Sequence, residues 1–269
     1  MKSINILCIT LILVTLMFIP QIQAKIDPKS ASGIWLFDEG KGKTVKDLSG
    51  NGNDGEIMGN PSWEDGKFGT ALQFGEPSDW VQVKDHPSLR VSKAYTVMAW
   101  VNAERYFFQG TQWQGIIAKA NNPRSYSFYT DTSKRPLIAI HFGGAHIVAF
   151  GSEFPLNEWT HLAFVVESGN NGGKITAYTN GKMVKETQNA ALKGLPGDGD
   201  TNDVVIGRTH EGARFFGGMI DEVGLFNVAL TEDDMADIVE DGLSRILGIT
   251  AVEPTQKLTT TWVRIKTQD

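Results

Sequence analysis

The sequence predicts an all-β protein, an antiparallel β-sandwich with one short helix near its C-terminal end. Short runs of apolar or alternating residues follow one another from Gly33 to Phe226. Gly, Asn, Asp and Pro stand between them, and the chain of 269 residues holds 29 glycines. Strands that are buried on one or both faces and joined by tight turns give that pattern, and their close spacing is that of a sandwich.

The runs in order are GIWLF from Gly33, ALQF from Ala71, WVQV from Trp80, YTVMAWV from Tyr95, GIIAKA from Gly115 and SYSFYT from Ser125. PLIAIHF from Pro136, HIVAF from His146, WTHLAFVVE from Trp159 and KITAYT from Lys174 come next. KMVKE from Lys182, DVVIG from Asp203 and GMIDEVGLF from Gly218 complete the series. Asn180-Gly181 between two of these runs is a strong hairpin signal, and Phe142-Gly143-Gly144-Ala145 joins two more. The helix is expected after Leu230. Thr231 caps it, Asp234 stands at its third position, Glu232 and Asp233 suit its positive end, and Gly242 stops it.

At 41% hydrophobic residues the chain can build a large core, and its net charge of −6 excludes a phosphate-binding surface of clustered cations, so no nucleic-acid partner is expected. Residues 1–24 read as a secretory signal: Lys2 is the basic residue, Ile4 to Ile19 the apolar stretch and Ile22-Gln23-Ala24 the cleavage site. An uncleaved anchor is the alternative. Cys8, the one cysteine, lies within the signal, so the mature chain would hold neither disulfide nor membrane span. The expected location is secreted, extracellular or periplasmic. The organisation read from the sequence is a sandwich domain over 25–245 and a linker and tail over 246–269.

The run GIWLFDEGKGKTVKDLSGNGNDGEIMGNPSWEDGKFGTALQF, the pair WTHLAFVVE and KITAYTNGKMV, and the closing VVIGR…FFGGMIDEVGLFNVALTEDDM resemble bacterial laminin G-like jelly-roll domains of the concanavalin A-like lectin/glucanase superfamily. The resemblance covers Ser30 to Arg245. It implies a jelly roll of two curved antiparallel sheets whose chain ends lie close together. It further implies a structural Ca²⁺ between the Asp47–Asn53 loop and the closing strand, with Asp38, Asp47, Asn51, Asn53 and Asp221 as ligands. These offer the hard oxygen donors that calcium takes. Asp47, Ser49 and Asn51 alternate as in half an EF-hand loop, and Asp198, Asp200, Asn202 and Asp203 form a second oxygen-rich loop that reads as a solvated turn.

Laminarinase-type hydrolases on this fold carry E-x-D-x-x-E on one strand, a pattern this chain lacks. Asp221 and Glu222 are consecutive on a strand, so their side chains are expected to point to opposite faces and not to form a catalytic pair. Asp221 is the acid that needs a partner, and Glu222 is expected to be dispensable. His141 and His146 face each other across a hairpin, too few for zinc, and His161 reads as a sheet residue. For sugar recognition the richest stretch is ERYFFQGTQWQG, with Tyr106 and Trp113 as stacking groups and Asn121 and Arg124 as hydrogen-bonding groups. Arg208 and Arg214 mark an alternative position.

The function expected is a non-catalytic module that binds glycan or cell-surface polysaccharide. A polysaccharide-degrading hydrolase, or an adhesion module with an extracellular protein partner, are the alternatives.

Overall fold

A computed structural model describes residues 26–107, 112–119, 123–142, 144–194, 201–212 and 214–249. Its strands, in chain order, begin with β1 (Ala31–Trp35), β2 (Thr44–Val45), β3 (Gly55–Met58), β4 (Ser62–Asp65), β5 (Thr70–Phe74) and β6 (Trp80–Val83). They continue with β7 (Ala94–Ala103), β8 (Trp113–Lys119), β9 (Tyr126–Asp131), β10 (Pro136–Phe142) and β11 (Ala145–Phe150). Last come β12 (Thr160–Glu167), β13 (Gly173–Thr179), β14 (Lys182–Asn189), β15 (Val204–Ile206) and β16 (Gly218–Phe226), followed by helix α1 (Glu232–Ile246).

The strands form two antiparallel sheets. The first runs β14-β13-β12-β7-β16-β5-β4 with β1 also on β16, and the second runs β11-β10-β9-β8-β15-β6-β3-β2. Each expected run is a strand. The three strands not foreseen, β2, β3 and β4, are 2 to 4 residues long. The core lies between the sheets, where Trp35, Phe74, Tyr95, Tyr126, Phe128, Phe164 and Phe216 interlock fully buried. Burying a side chain of that size contributes about 1.5–3 kcal/mol.

The outer faces of the two sheets differ. On the first sheet Ile34, Met98, Ala163, Val165 and Phe226 pack against Met235, Ile238 and Leu243 of α1, making a third layer. The helix begins in a capping box, with Thr231 and Asp234 bonding each other's backbone N–H groups. Gly242 kinks it rather than ending it: φ is 78° there and a last turn follows to Ile246. The Asn180-Gly181 turn has φ of 49° and 79°, as a two-residue hairpin needs. It also abuts the helix, since a Cβ on Gly181 would lie 3.1 Å from the Ala236 Cα. No described helix is long and apolar enough to cross a membrane. The residues of the expected signal and nearly all of the tail lie outside the described range.

Candidate functional site

The acids near the chain ends stand on the closing strand. β16 pairs with β1, Trp35 opposite Val223, and with β7, Asp221 opposite Trp100 and Gly224 opposite Met98. That second register holds one residue too many on β16, a bulge, and Glu222 sits in it with φ of 45°. The expected strict alternation therefore fails at this point. Both acids are buried and both reach the loop between β4 and β5. Asp221 Oδ2 accepts the N–H groups of Lys67 (2.8 Å) and Phe68 (3.1 Å), and its Oδ1 accepts the N–H of Glu222 (2.8 Å). Glu222 Oε2 accepts the Leu243 N–H at 2.9 Å, at the helix kink. Its other oxygen faces Gly242, beside the Phe68 ring. Glu222 thus ties α1 to the sheet, where alternation predicted a dispensable group.

Burial pushes the Asp221 carboxyl well above the usual range, Glu222 and Asp38 add to the rise, and the N–H donors oppose it. Burial likewise lifts Glu222 to about 8, against the pull of the Leu243 N–H. Asp38 Oδ1 accepts the Thr70 N–H at 3.0 Å.

The calcium ligands expected from resemblance divide into two groups with separate tasks. Asp38 and Asp221 hold the β4–β5 loop. Asp47 accepts the N–H groups of Ile34 (3.0 Å), Ser49 (2.9 Å) and Asn53 (2.8 Å), which fastens its own loop to β1. Asn51 and Asn53 turn their amide N–H groups toward the chain, donating to the Ser32 carbonyl at 3.2 and 2.9 Å. The carboxylates of Asp38, Asp47 and Asp221 thus already accept backbone N–H groups, where calcium takes six to eight oxygens. Among the described residues no three or more His, Cys, Asp or Glu side chains are grouped to hold a metal ion.

The second sheet presents a different outer surface. On β6 the core takes Val81 and Val83, so Trp80 and Gln82 point outward. On β9 Tyr126 and Phe128 face the core and Tyr129 faces out. The segment after β15 folds back over this face: the Gly115 N–H donates to the Arg214 carbonyl at 3.1 Å, and a Cβ on Gly115 would strike the Arg208 and Thr209 backbone. Glycine is needed there because two backbones meet.

That segment lays arginines on aromatic rings. The Arg214 guanidinium stands 4.4 Å from the centre of Trp113 and 5.6 Å from that of Tyr129. Arg208 stands 4.6 Å from Trp80 and 5.3 Å from Phe215. Glu211 lies between Arg214 (3.3 Å) and Arg124, whose Nε donates to it at 2.7 Å. Arg124 also meets His146 at 3.1 Å, and its backbone N–H donates to His141 Nδ1 at 2.9 Å. The two imidazoles stack across the β10–β11 hairpin at 4.9 Å. Burial and the neighbouring cations lower the pKa of both rings.

Of the expected ligand residues, then, Trp113 and Arg124 come together on this face. Tyr106 turns inward, donating its hydroxyl to the Phe154 carbonyl at 2.7 Å and packing edge-on against that ring. Asn121 lies outside the described residues. His161 is a fully buried sheet residue, as expected, with its pKa lowered to about 3 by burial. Trp80, Tyr129, Glu211 and Phe215 were not foreseen. The phase of WVQV and YSFYT gives the first two away, since they fall opposite the residues that the core takes.

No curated protein matches the chain by sequence. Among solved structures, the chain is similar to domain 4 of AbnA, a GH43 extracellular arabinanase from Geobacillus stearothermophilus, in complex with arabinotriose. Identity is 21% and the TM-score 0.60, over 78% of this chain and 98% of that one. It is also similar to the binding domain of Paraclostridial Mosquitocidal Protein 1, at 15% identity and a TM-score of 0.64, over 79% of this chain and 52% of that one. The botulinum neurotoxin serotype G binding domain gives 13% and 0.62, over 78% and 50%. The chain thus spans about half the length of these toxin domains. At such identities the likeness is one of fold. The profile of the concanavalin A-like lectin/glucanases superfamily, in its Laminin_G_3 form, matches residues 74–236. With that match over more than half of its length, the chain belongs to the Laminin_G_3 family of concanavalin A-like lectin/glucanases.

Proposed function

We propose that this chain is an exported, non-catalytic carbohydrate-binding module that holds its glycan on the outer face of the second sheet. The observation that carries the reading is the stack of half-buried Trp113 and Arg214 on buried Tyr129, flanked by Arg124 and Glu211 on one side. Sugar rings present apolar C–H faces and a rim of hydroxyls. An aromatic plane beside fixed planar donors and acceptors meets both needs, and a partly exposed aromatic patch is the kind of surface that serves binding. The solved arabinanase domain of the same fold, with its arabinotriose, supports the reading.

Glu211 favours binding over hydrolysis. Held between two guanidinium groups, it fixes those arginines in place, whereas a glycosidic acid needs a second carboxyl at about 5–9 Å with the bond between them. A protein partner on the same face is the competing outcome. Wild-type protein and Trp113→Ala should be titrated against a panel of immobilised oligosaccharides. Retention of at least one saccharide by the wild type, weakened by about 1–3 kcal/mol in the variant with an unchanged Tm, is expected. Equal retention by both proteins would move the site off this face.

A further inference from the structure

Arg208 stands apart from the other described arginines in this acidic chain. Arg90 pairs with Asp85, Arg105 with Glu104, Arg124 and Arg214 with Glu211, Arg135 with Asp131, and Arg245 with Asp241. Arg208 pairs with no carboxylate among the described residues. It is nevertheless held in place: Trp80 and Phe215 both lie against the guanidinium, and its Nε donates to the Thr209 carbonyl at 3.1 Å. Burial lowers its pKa, so the site costs some desolvation of the cation with no internal anion to offset it. The terminal N–H groups of Nη1 and Nη2 have no protein acceptor among the described residues, while Nε is already engaged.

A guanidinium fixed by stacking, with its terminal fork open, is pre-organised to bind a carboxylate through two parallel bonds. A neutral sugar would leave that fork without a charged partner. Resting on the carbohydrate reading above, we infer that Arg208 is the specificity residue of this face and that the saccharide it takes carries a carboxylate, as a uronate or a sialate does. Trp80 and Phe215 act here as positioning residues, because they set the plane of the fork.

The test uses the exported chain with two acidic probes, a galacturonate trimer and sialyllactose, each beside its carboxyl-reduced neutral counterpart. Affinities are measured by calorimetry at low and moderate salt. At least one acidic probe should bind about ten- to a hundredfold more tightly than its reduced counterpart, as a charge-assisted pair of bonds allows. Arg208→Gln should bring the ratio of acidic to neutral affinity down to about one, with circular dichroism showing the fold intact. Arg208→Lys should restore only part of it, since an ammonium lacks the planar fork. Equal affinity for acid and reduced forms, or a preference that survives Arg208→Gln, overturns the inference and leaves the carbohydrate reading standing if the neutral sugars still depend on Trp113. Failure of both acidic probes to bind overturns the inference, while the oligosaccharide panel decides the carbohydrate reading.

Discussion

Replacing Glu222 by Gln should remove its share of a pH dependence of stability that the wild type carries in an unusual direction. Glu222 is 2% exposed, and its carboxyl is lifted from 4.5 to about 8 in the folded chain, chiefly by burial. A folded pKa above the unfolded one means that the native state keeps a proton which the unfolded chain has already released. Stability from this group is therefore greatest below about pH 4.5, falls as pH rises toward 8, and stays at its lower value beyond. The full shift converts to a ceiling of about 5 kcal/mol, at roughly 1.4 kcal/mol for each pH unit. Asp221, raised for the same first cause, adds a fall of the same sign. Glutamine keeps a carbonyl for the Leu243 N–H but cannot ionise. Its buried NH₂ group carries its own cost of about 1–3 kcal/mol if it finds no acceptor, so the diagnostic is the slope and not the absolute value. Urea unfolding at pH 5, 6.5 and 8.5 gives that slope for each protein. The wild type should lose stability across the range and the variant less, so that the two curves converge or cross at alkaline pH. A wild type that gains stability from pH 5 to 8.5, or a variant with an equal slope, would refute the reasoning.

Asp221→Ala should cost about 3 kcal/mol or more in chemical unfolding, because it strips the acceptor from the N–H groups of Lys67, Phe68 and Glu222 at once. Loss of less than about 1 kcal/mol would mean that water replaces the carboxylate freely. Adding calcium or a chelator should move the wild-type Tm by less than about 1 °C, since the Asp38, Asp47 and Asp221 carboxylates already accept backbone N–H groups. A calcium-dependent rise of several degrees would restore the cation through linkage.

The strand order was legible because it rests on local patterns. β7 and β12 are apolar on both faces, since one face meets the second sheet and the other meets α1 and β1. Their sequences, YTVMAWV and THLAFVV, are accordingly continuous rather than alternating. The helix was legible from the Thr231-Asp234 cap, but its length was not: Gly242 reads as a stop, and only the packing of Leu243 and Ile246 shows that the chain resumes a turn. The acids resisted for a related reason. Alternation is a rule for regular strands, and nothing local to IDEV announces that Glu222 occupies a bulge. The bulge is defined by the register against β7, a strand more than 100 residues earlier, as the pairing of Asp221 with Trp100 shows.

The candidate site was only half legible because it belongs to no single stretch. A residue's phase along a strand says which side it takes, and Trp80 and Tyr129 were in principle readable in that sense. Which of a sandwich's two outer sides is left to bind a ligand depends on where the helix goes. Here α1 fills the first sheet's outer face with Met235, Ile238 and Leu243, so acids beneath it become closure groups, bonded to the backbone. The second sheet receives the turn-rich segment 207–216 instead, and that segment brings guanidinium groups onto rings from β6, β8 and β9. Buried carboxylates and stacked arginines therefore divide between the two faces by task. The first set would be felt in unfolding and the second in binding. If Asp221→Ala altered saccharide affinity as strongly as Trp113→Ala while the fold stayed intact, that division would be wrong.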